Sequence, residues 1–227
     1  MIRIYTFVLT AFLYTTLLFS QSVPHTEKWN LDNLDVARNV DYLTDNEKDV
    51  VLVMNMARTN PRLYAELYLE PMMALFDGKL IKYPGETFIM TNEGIKALKE
   101  CIRVLKKQKP VGILIPKIGL SKAAADHAAD IGKKGKLSHT GSDRSDIPKR
   151  VNRYGNWDIE LGENIDAGNL DPVRIVSSLL IDDGVKNRGH RINIFNANFN
   201  FIGVSINTHK KYRHCCVMDY AGDYQDN

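Results

Sequence analysis

The chain has 227 residues, with 30 Lys and Arg against 27 Asp and Glu and a formal net charge of +3. That length suits one domain with a sizeable core behind a processed leader. The near-balanced charge excludes the basic face of a nucleic-acid-binding domain, so no nucleic-acid partner is expected.

Met1-Ile2-Arg3 precedes an apolar run from Ile4 to Phe19 and then Ser20-Gln21-Ser22. A basic start, a short apolar stretch and a small residue near the cut read as a signal peptide over residues 1–20. The run falls short of the roughly 20 apolar residues that a spanning helix needs. No Cys lies near the cut, and no other stretch is long and apolar enough to span a membrane. The mature chain is therefore expected to be secreted, extracellular or periplasmic, and not an integral membrane protein.

Residues 21–43 are polar and irregular and are expected to wrap the surface. A folded domain is expected over 44–223. Thr44-Asp45-Asn46-Glu47 has the form of a capping box. Val50, Val51, Met54 and Ala57 follow at helical spacing, and Pro61 breaks the helix near Asn60. Phe76 to Thr91 is punctuated by Gly and Pro and reads as a long connection. Thr91-Asn92-Glu93 opens a second helix that runs through Leu105 into a lysine-rich turn, a solvated face. Leu120 to Lys136 is an alanine-rich helix that Gly135 terminates, delivering His139 onto a loop. His127, inside that helix, is expected to be structural or exposed. Short helices are expected over Asp146–Tyr154 and over Pro172–Ile181, the latter with Pro in its first turn. Phe201–Asn207 and Cys215–Tyr220 alternate as strands about the Lys210-Lys211-Tyr212 turn.

Three separate segments carry the candidate site. They are Leu137-Ser138-His139-Thr140-Gly141-Ser142-Asp143, then Gly162-Glu163-Asn164-Ile165, then Arg188-Gly189-His190-Arg191. With Val53-Met54-Asn55-Met56-Ala57-Arg58, Ile181-Asp182-Asp183-Gly184-Val185 and the late strands Phe201-Ile202-Gly203-Val204 and Val217-Met218-Asp219-Tyr220, their order resembles the CAP superfamily. That superfamily groups cysteine-rich secretory, antigen 5 and pathogenesis-related 1 proteins. No single motif is specific; the ordered set, from about Asp45 to Tyr220, is. The resemblance implies an α+β fold, a three-layer α-β-α sandwich around a small, mostly antiparallel sheet. It implies a cleft at His139, Glu163 and His190, with Asp182 nearest to the fourth cavity position, where many members place a glutamate. Arg144 stands where this branch usually has Gly, at about 1 kcal/mol or more if φ there is positive.

Two imidazoles and a carboxylate permit three uses: holding zinc, acid–base work, or simply holding each other. Divalent-metal binding is known at the corresponding histidines of CAP relatives, so His139, Glu163, His190 and Asp182 are candidate Zn2+ ligands. Asn164, Asp183, Arg188 and Arg191 are candidate supports. Asp182 or Asp183 would orient His190 or make a turn. Arg188 and Arg191 would pair with these aspartates or with an anionic ligand, and Asn164 would bond backbone across the cleft. Trp157 and Tyr154 would wall a cleft or join the core. The expected function is a non-enzymatic binding module for a lipid, glycan or protein; sterols and fatty acids are ligands of some relatives. The alternative is a metal-assisted hydrolase at His139, Glu163 and His190, because no serine or cysteine sits in a nucleophile context. Lipid binding predicts an apolar groove away from the histidines; an exposed aromatic patch would indicate a protein partner. For Cys101, Cys215 and Cys216, one disulfide from Cys101 to either vicinal residue and three buried thiols are both open.

Overall fold

A computed structural model describes residues 23–227; the expected leader lies outside the described residues. Thr44 caps the first long helix, α1 (Asp45–Thr59). Its Oγ1 accepts from the Glu47 N–H, and a Glu47 oxygen accepts from the Thr44 N–H at 2.8 Å. Asn60 ends α1 and its side chain caps the turn that Pro61 opens, as expected of that pair. The apolar positions of α1 exceed one stripe: Leu52, Val53 and Met56 are buried beside Val50, Val51, Met54 and Ala57. A helix apolar on all sides belongs inside a core.

The segment expected to be one long connection instead folds into a meander of two-residue strands. These are β1 (Phe76–Asp77), β2 (Leu80–Ile81) and β3 (Ile89–Met90), antiparallel in that order. Two-residue strands are too short to show alternation in sequence, and their turns use Gly78 and Gly85 at φ of +61° and +76°. Helix α2 (Ile95–Leu105) starts later than expected, after Gly94 at φ +69°. The N–H groups of Asn92 and Glu93, which would have opened it, donate to the Asp183 carboxylate at 2.6 and 2.7 Å.

After α2 come β4 (Ile115–Pro116), α3 (Ile118–Lys134), α4 (Ile147–Val151), β5 (Gly155–Ala167), α5 (Pro172–Ile181), α6 (Gly189–Ile194), β6 (Phe201–His209) and β7 (Arg213–Asp226). The main sheet has the order β4-β6-β7-β5, with β7 antiparallel to both neighbours and only the short β4 parallel to β6. Helices α3 and α4 cover one face; α1, α5 and α6 cover the other. This is the expected α+β, three-layer α-β-α arrangement. Residues 23–43 do more than wrap the surface: Val23, Leu34, Ala37 and Leu43 are buried in the main core. Tyr154 and Trp157 pack against a smaller cluster under α3 with Leu120, Val151 and Tyr224, so both serve as core. Cys101, Cys215 and Cys216 are free, buried thiols. Among the described residues no helix is long and apolar enough to cross a membrane.

Candidate functional site

Adjacent residues of a strand face opposite sides of a sheet, so Glu163 and Asn164 on β5 serve different layers. Glu163 points to the α3–α4 side. One of its oxygens accepts from His139 Nδ1 at 2.7 Å and the other from Arg150 Nη2 at 2.5 Å. His139 reaches this position because Gly135, at φ +70°, ends α3 and starts the loop. A tight turn then reverses the chain, with the Arg144 N–H donating to the Gly141 carbonyl at 2.9 Å. Arg144 has φ +64°, so a non-glycine side chain occupies a left-handed position in this turn. Arg150, on α4 and fully buried, also donates to the carbonyls of His139 and Ser145 at 3.2 and 3.0 Å. Carboxylate and loop are thus fixed by one guanidinium.

The electrostatics follow from this packing. Burial pushes the Glu163 carboxyl upward, but the His139 hydrogen bond and the Arg150 charge outweigh it and hold the group below its ordinary range. The hydrogen bond to Glu163 raises His139. His127 is buried and structural, with Nε2 donating to the Ser138 carbonyl at 2.7 Å and lying 3.8 Å from Glu163. Burial lowers its pKa despite that carboxylate.

On the opposite layer, Asn164 donates to the His190 carbonyl at 3.1 Å and to the Tyr220 hydroxyl at 3.2 Å, and accepts from Asn193 at 2.9 Å. It does bond backbone across the cleft. Asp182 closes α5 in the left-handed region, φ +56°, and is both turn and orienter. One of its oxygens accepts from His190 Nδ1 at 2.7 Å and the other from the His190 N–H at 3.0 Å. Asp183 instead holds the α2 approach. The expectation that Arg188 and Arg191 pair with these aspartates is corrected. Arg188 pairs with Glu93 at 2.6 and 2.8 Å, and Arg191 pairs with Glu100 at 2.9 and 2.6 Å. Both glutamates come from the α2 region, which folding brings beside α6.

Each imidazole is therefore held through Nδ1 by a carboxylate, which leaves Nε2 as the acceptor nitrogen. His139, Glu163, His190 and Asp182 do not stand as a four-ligand set. Both oxygens of each carboxylate are occupied, and among the described residues no group of three or more His, Cys, Asp and Glu side chains is placed to hold a metal ion. The Nε2 atoms of the two imidazoles are the ring nitrogens left without a carboxylate partner. Nearby hydroxyls are engaged in turns: Ser138 Oγ accepts from the Thr140 N–H, and Ser142 Oγ donates to Asp130. Burial raises the thiols, Cys101 to about 12 and Cys215 to about 11, which leaves them poor nucleophiles.

Two members of the cluster escaped sequence reasoning. Arg150 is one of 30 Lys and Arg in the sequence, and nothing local to it marks it out. Asp219 sits directly across from Glu163 in the sheet and is fully buried. Neither of its oxygens has a hydrogen-bond partner among the described residues. Burial and the Glu163 charge push its carboxyl well up, so Glu163 carries the charge and Asp219 the proton. A signal did exist: an aspartate in the otherwise apolar run Val217-Met218-Asp219-Tyr220.

A second site lies away from the histidines. A cavity of about 700 Å³ opens between the meander, α5 and the β6–β7 turn. Phe76, Ile81, Ile89 and Ile181 give it apolar walls, while Arg174 and Arg213 supply cations. Arg174 pairs with Glu86 and stacks over the Tyr83 ring at 3.7 Å, yet its buried Nε has no partner. Arg213 makes no ion pair among the described residues. None of His139, Glu163 and His190 lines this cavity.

The model of the CAP family, the cysteine-rich secretory protein family, matches residues 106–220, just over half of the chain. No curated protein matches. Two solved structures are similar over part of the fold. One is an extracellular protein containing an SCP domain from Bacillus anthracis, 21% identical over 49% of this chain and 34% of that one, with a TM-score of 0.40. The other is an outer surface protein from Borrelia burgdorferi, 18% identical over 49% of this chain and 78% of that one, with a TM-score of 0.41. The chain thus spans about a third of the Bacillus protein. The matched segment holds His139, Glu163, Asp182 and His190 in the order and layers described above, and the chain belongs to the CAP family.

Proposed function

We propose that this chain is an extracellular binding module whose ligand is an amphipathic molecule, a lipid with an apolar body and an anionic head. The observation that carries the reading is the cavity of about 700 Å³, with its row of Phe76, Ile81 and Ile89 facing Ile181 and two arginines beside it. That volume lies within the usual range of small-molecule sites, which combine apolar walls with a few polar groups. The site is remote from the histidines, and the hydroxyls and thiols offer no activated nucleophile, so the reading is binding rather than hydrolysis. Uptake of the fluorescent fatty acid cis-parinarate tests it. The wild type takes up the probe, and Ile89→Trp, which fills the cavity, abolishes uptake. Arg213→Gln weakens it about tenfold, the scale of one charged hydrogen bond. Equal uptake by wild type and Ile89→Trp sinks the reading.

A second reading, divalent-metal binding, is favoured by one observation: Nδ1 of both His139 and His190 is tied to a carboxylate, leaving Nε2 as donor. Zinc titration by calorimetry of the wild type and of His139→Ala/His190→Ala checks it. Heat from the wild type that vanishes in the variant supports a two-imidazole site; equal traces remove it.

A further inference from the structure

The meander has two faces. Phe76 pairs with Ile81 and Ile81 with Ile89, so these three form one cross-strand row, which lines the cavity. Met90, next to Ile89 on β3, turns the other way, and Phe88 immediately precedes the strand. Phe88 and Met90 are 56% and 69% exposed, the most open large apolar side chains of this segment. Lys82, exposed just after β2, sets Nζ 5.0 Å from the centre of the Phe88 ring. Lys79 is exposed in the β1–β2 turn, next to Asp77. The other acid of the flap, Glu86, is neutralised by Arg174. The flap is thus apolar toward the cavity and apolar with a basic margin toward solvent.

We infer that the Phe88–Met90 edge docks on an anionic lipid surface and seats the cavity against the membrane from which its ligand comes; this rests on the lipid reading above. Three observations select a membrane as the occupant. The outer apolar residues are continuous with the cavity wall, through the intervening Ile89. The lysines complement anionic headgroups, which attract basic residues near the surface. This edge offers two large exposed side chains, far less than the roughly 800 Å² per partner of a standard protein interface, but enough for shallow insertion at a headgroup boundary.

Flotation of the chain as its host matures it tests the inference. The probes are phosphatidylcholine vesicles, and the same vesicles with a third of the lipid replaced by phosphatidylglycerol. The wild type floats with the mixed vesicles, less so at high salt. Phe88→Ser/Met90→Ser lowers that binding by at least about tenfold, as loss of two inserted apolar side chains requires. Lys79→Gln/Lys82→Gln abolishes the preference for the anionic vesicles. Both variants keep the wild-type melting temperature and take up cis-parinarate from solution, because neither pair lines the cavity. A wild type that ignores both vesicles, or a Phe88→Ser/Met90→Ser variant that floats equally well, overturns the docking inference and gives this edge to a protein partner. Failure of the wild type to take up soluble cis-parinarate would strike the lipid reading instead, and flotation reports separately.

Discussion

Asp166 shows how a single side chain sets a pH dependence. It is buried at the end of β5, where the Ser178 hydroxyl donates to it and Asn169 Nδ2 donates to both oxygens at 3.0 and 3.1 Å. Burial outweighs those donors and raises its carboxyl from an ordinary 3.8 to about 6. The folded state therefore holds the proton more tightly than the unfolded chain. The associated stability is fully present below the unfolded value and is lost as pH rises through about 6. A shift of this size corresponds to on the order of 3 kcal/mol. Asp166→Asn removes this dependence, so denaturation profiles of wild type and variant should converge at acid pH and separate toward neutrality, the wild type losing ground. Parallel profiles would refute the assignment. At this scale His139, Glu163 and His190 were legible in the sequence, because their motifs are local strings. Arg150 and Asp219 were not, since what distinguishes them is burial against Glu163, a contact made across separate segments.

At the scale of elements, helix α3 owes its place on the sheet to two glycines. A side-chain carbon on Gly203 of β6 would lie 2.1 Å from the Leu120 backbone, and one on Gly132 of α3 would lie 2.2 Å from the Thr208 carbonyl oxygen. Helix and strand therefore meet backbone to backbone, and a flexible side chain cannot yield there. Gly203→Ala is expected to destabilise the fold by about 3 kcal/mol or more through overpacking, measured as a lower urea midpoint at unchanged slope. An unchanged midpoint would mean that α3 slides freely on β6. Capped and strongly periodic elements were readable in advance: the Thr44 box, the Gly135 stop and the Pro172–Ile181 helix stand where expected. The meander was not, because two-residue strands carry no period and exist only through their pairing. The late start of α2 has a related cause, a carboxylate 90 residues downstream competing for its first N–H groups.

Over the whole molecule, Asn55 and Arg58 act as joints. They lie one helical turn apart on α1, so they share a face. Asn55 donates to the carbonyls of Leu34 and Leu114 and accepts from the Leu114 N–H. Arg58 donates to the carbonyls of Gly112, Ile194, Asn196 and Phe199. Two side chains of the first long helix thereby satisfy buried backbone from three distant stretches, where unpaired carbonyls would be costly. The sequence by itself determined the family, the capped and strongly periodic helices, the late hairpin and the three strings of the histidine cluster, because capping, periodicity and turn chemistry are written within a few residues of where they act. Only the tertiary structure decided that Asp182 serves His190, that Arg188 and Arg191 belong to Glu93 and Glu100, and that a cavity opens beneath the meander. Those outcomes depend on which distant segments share a dielectric and a packing boundary, which a linear string of residues does not contain.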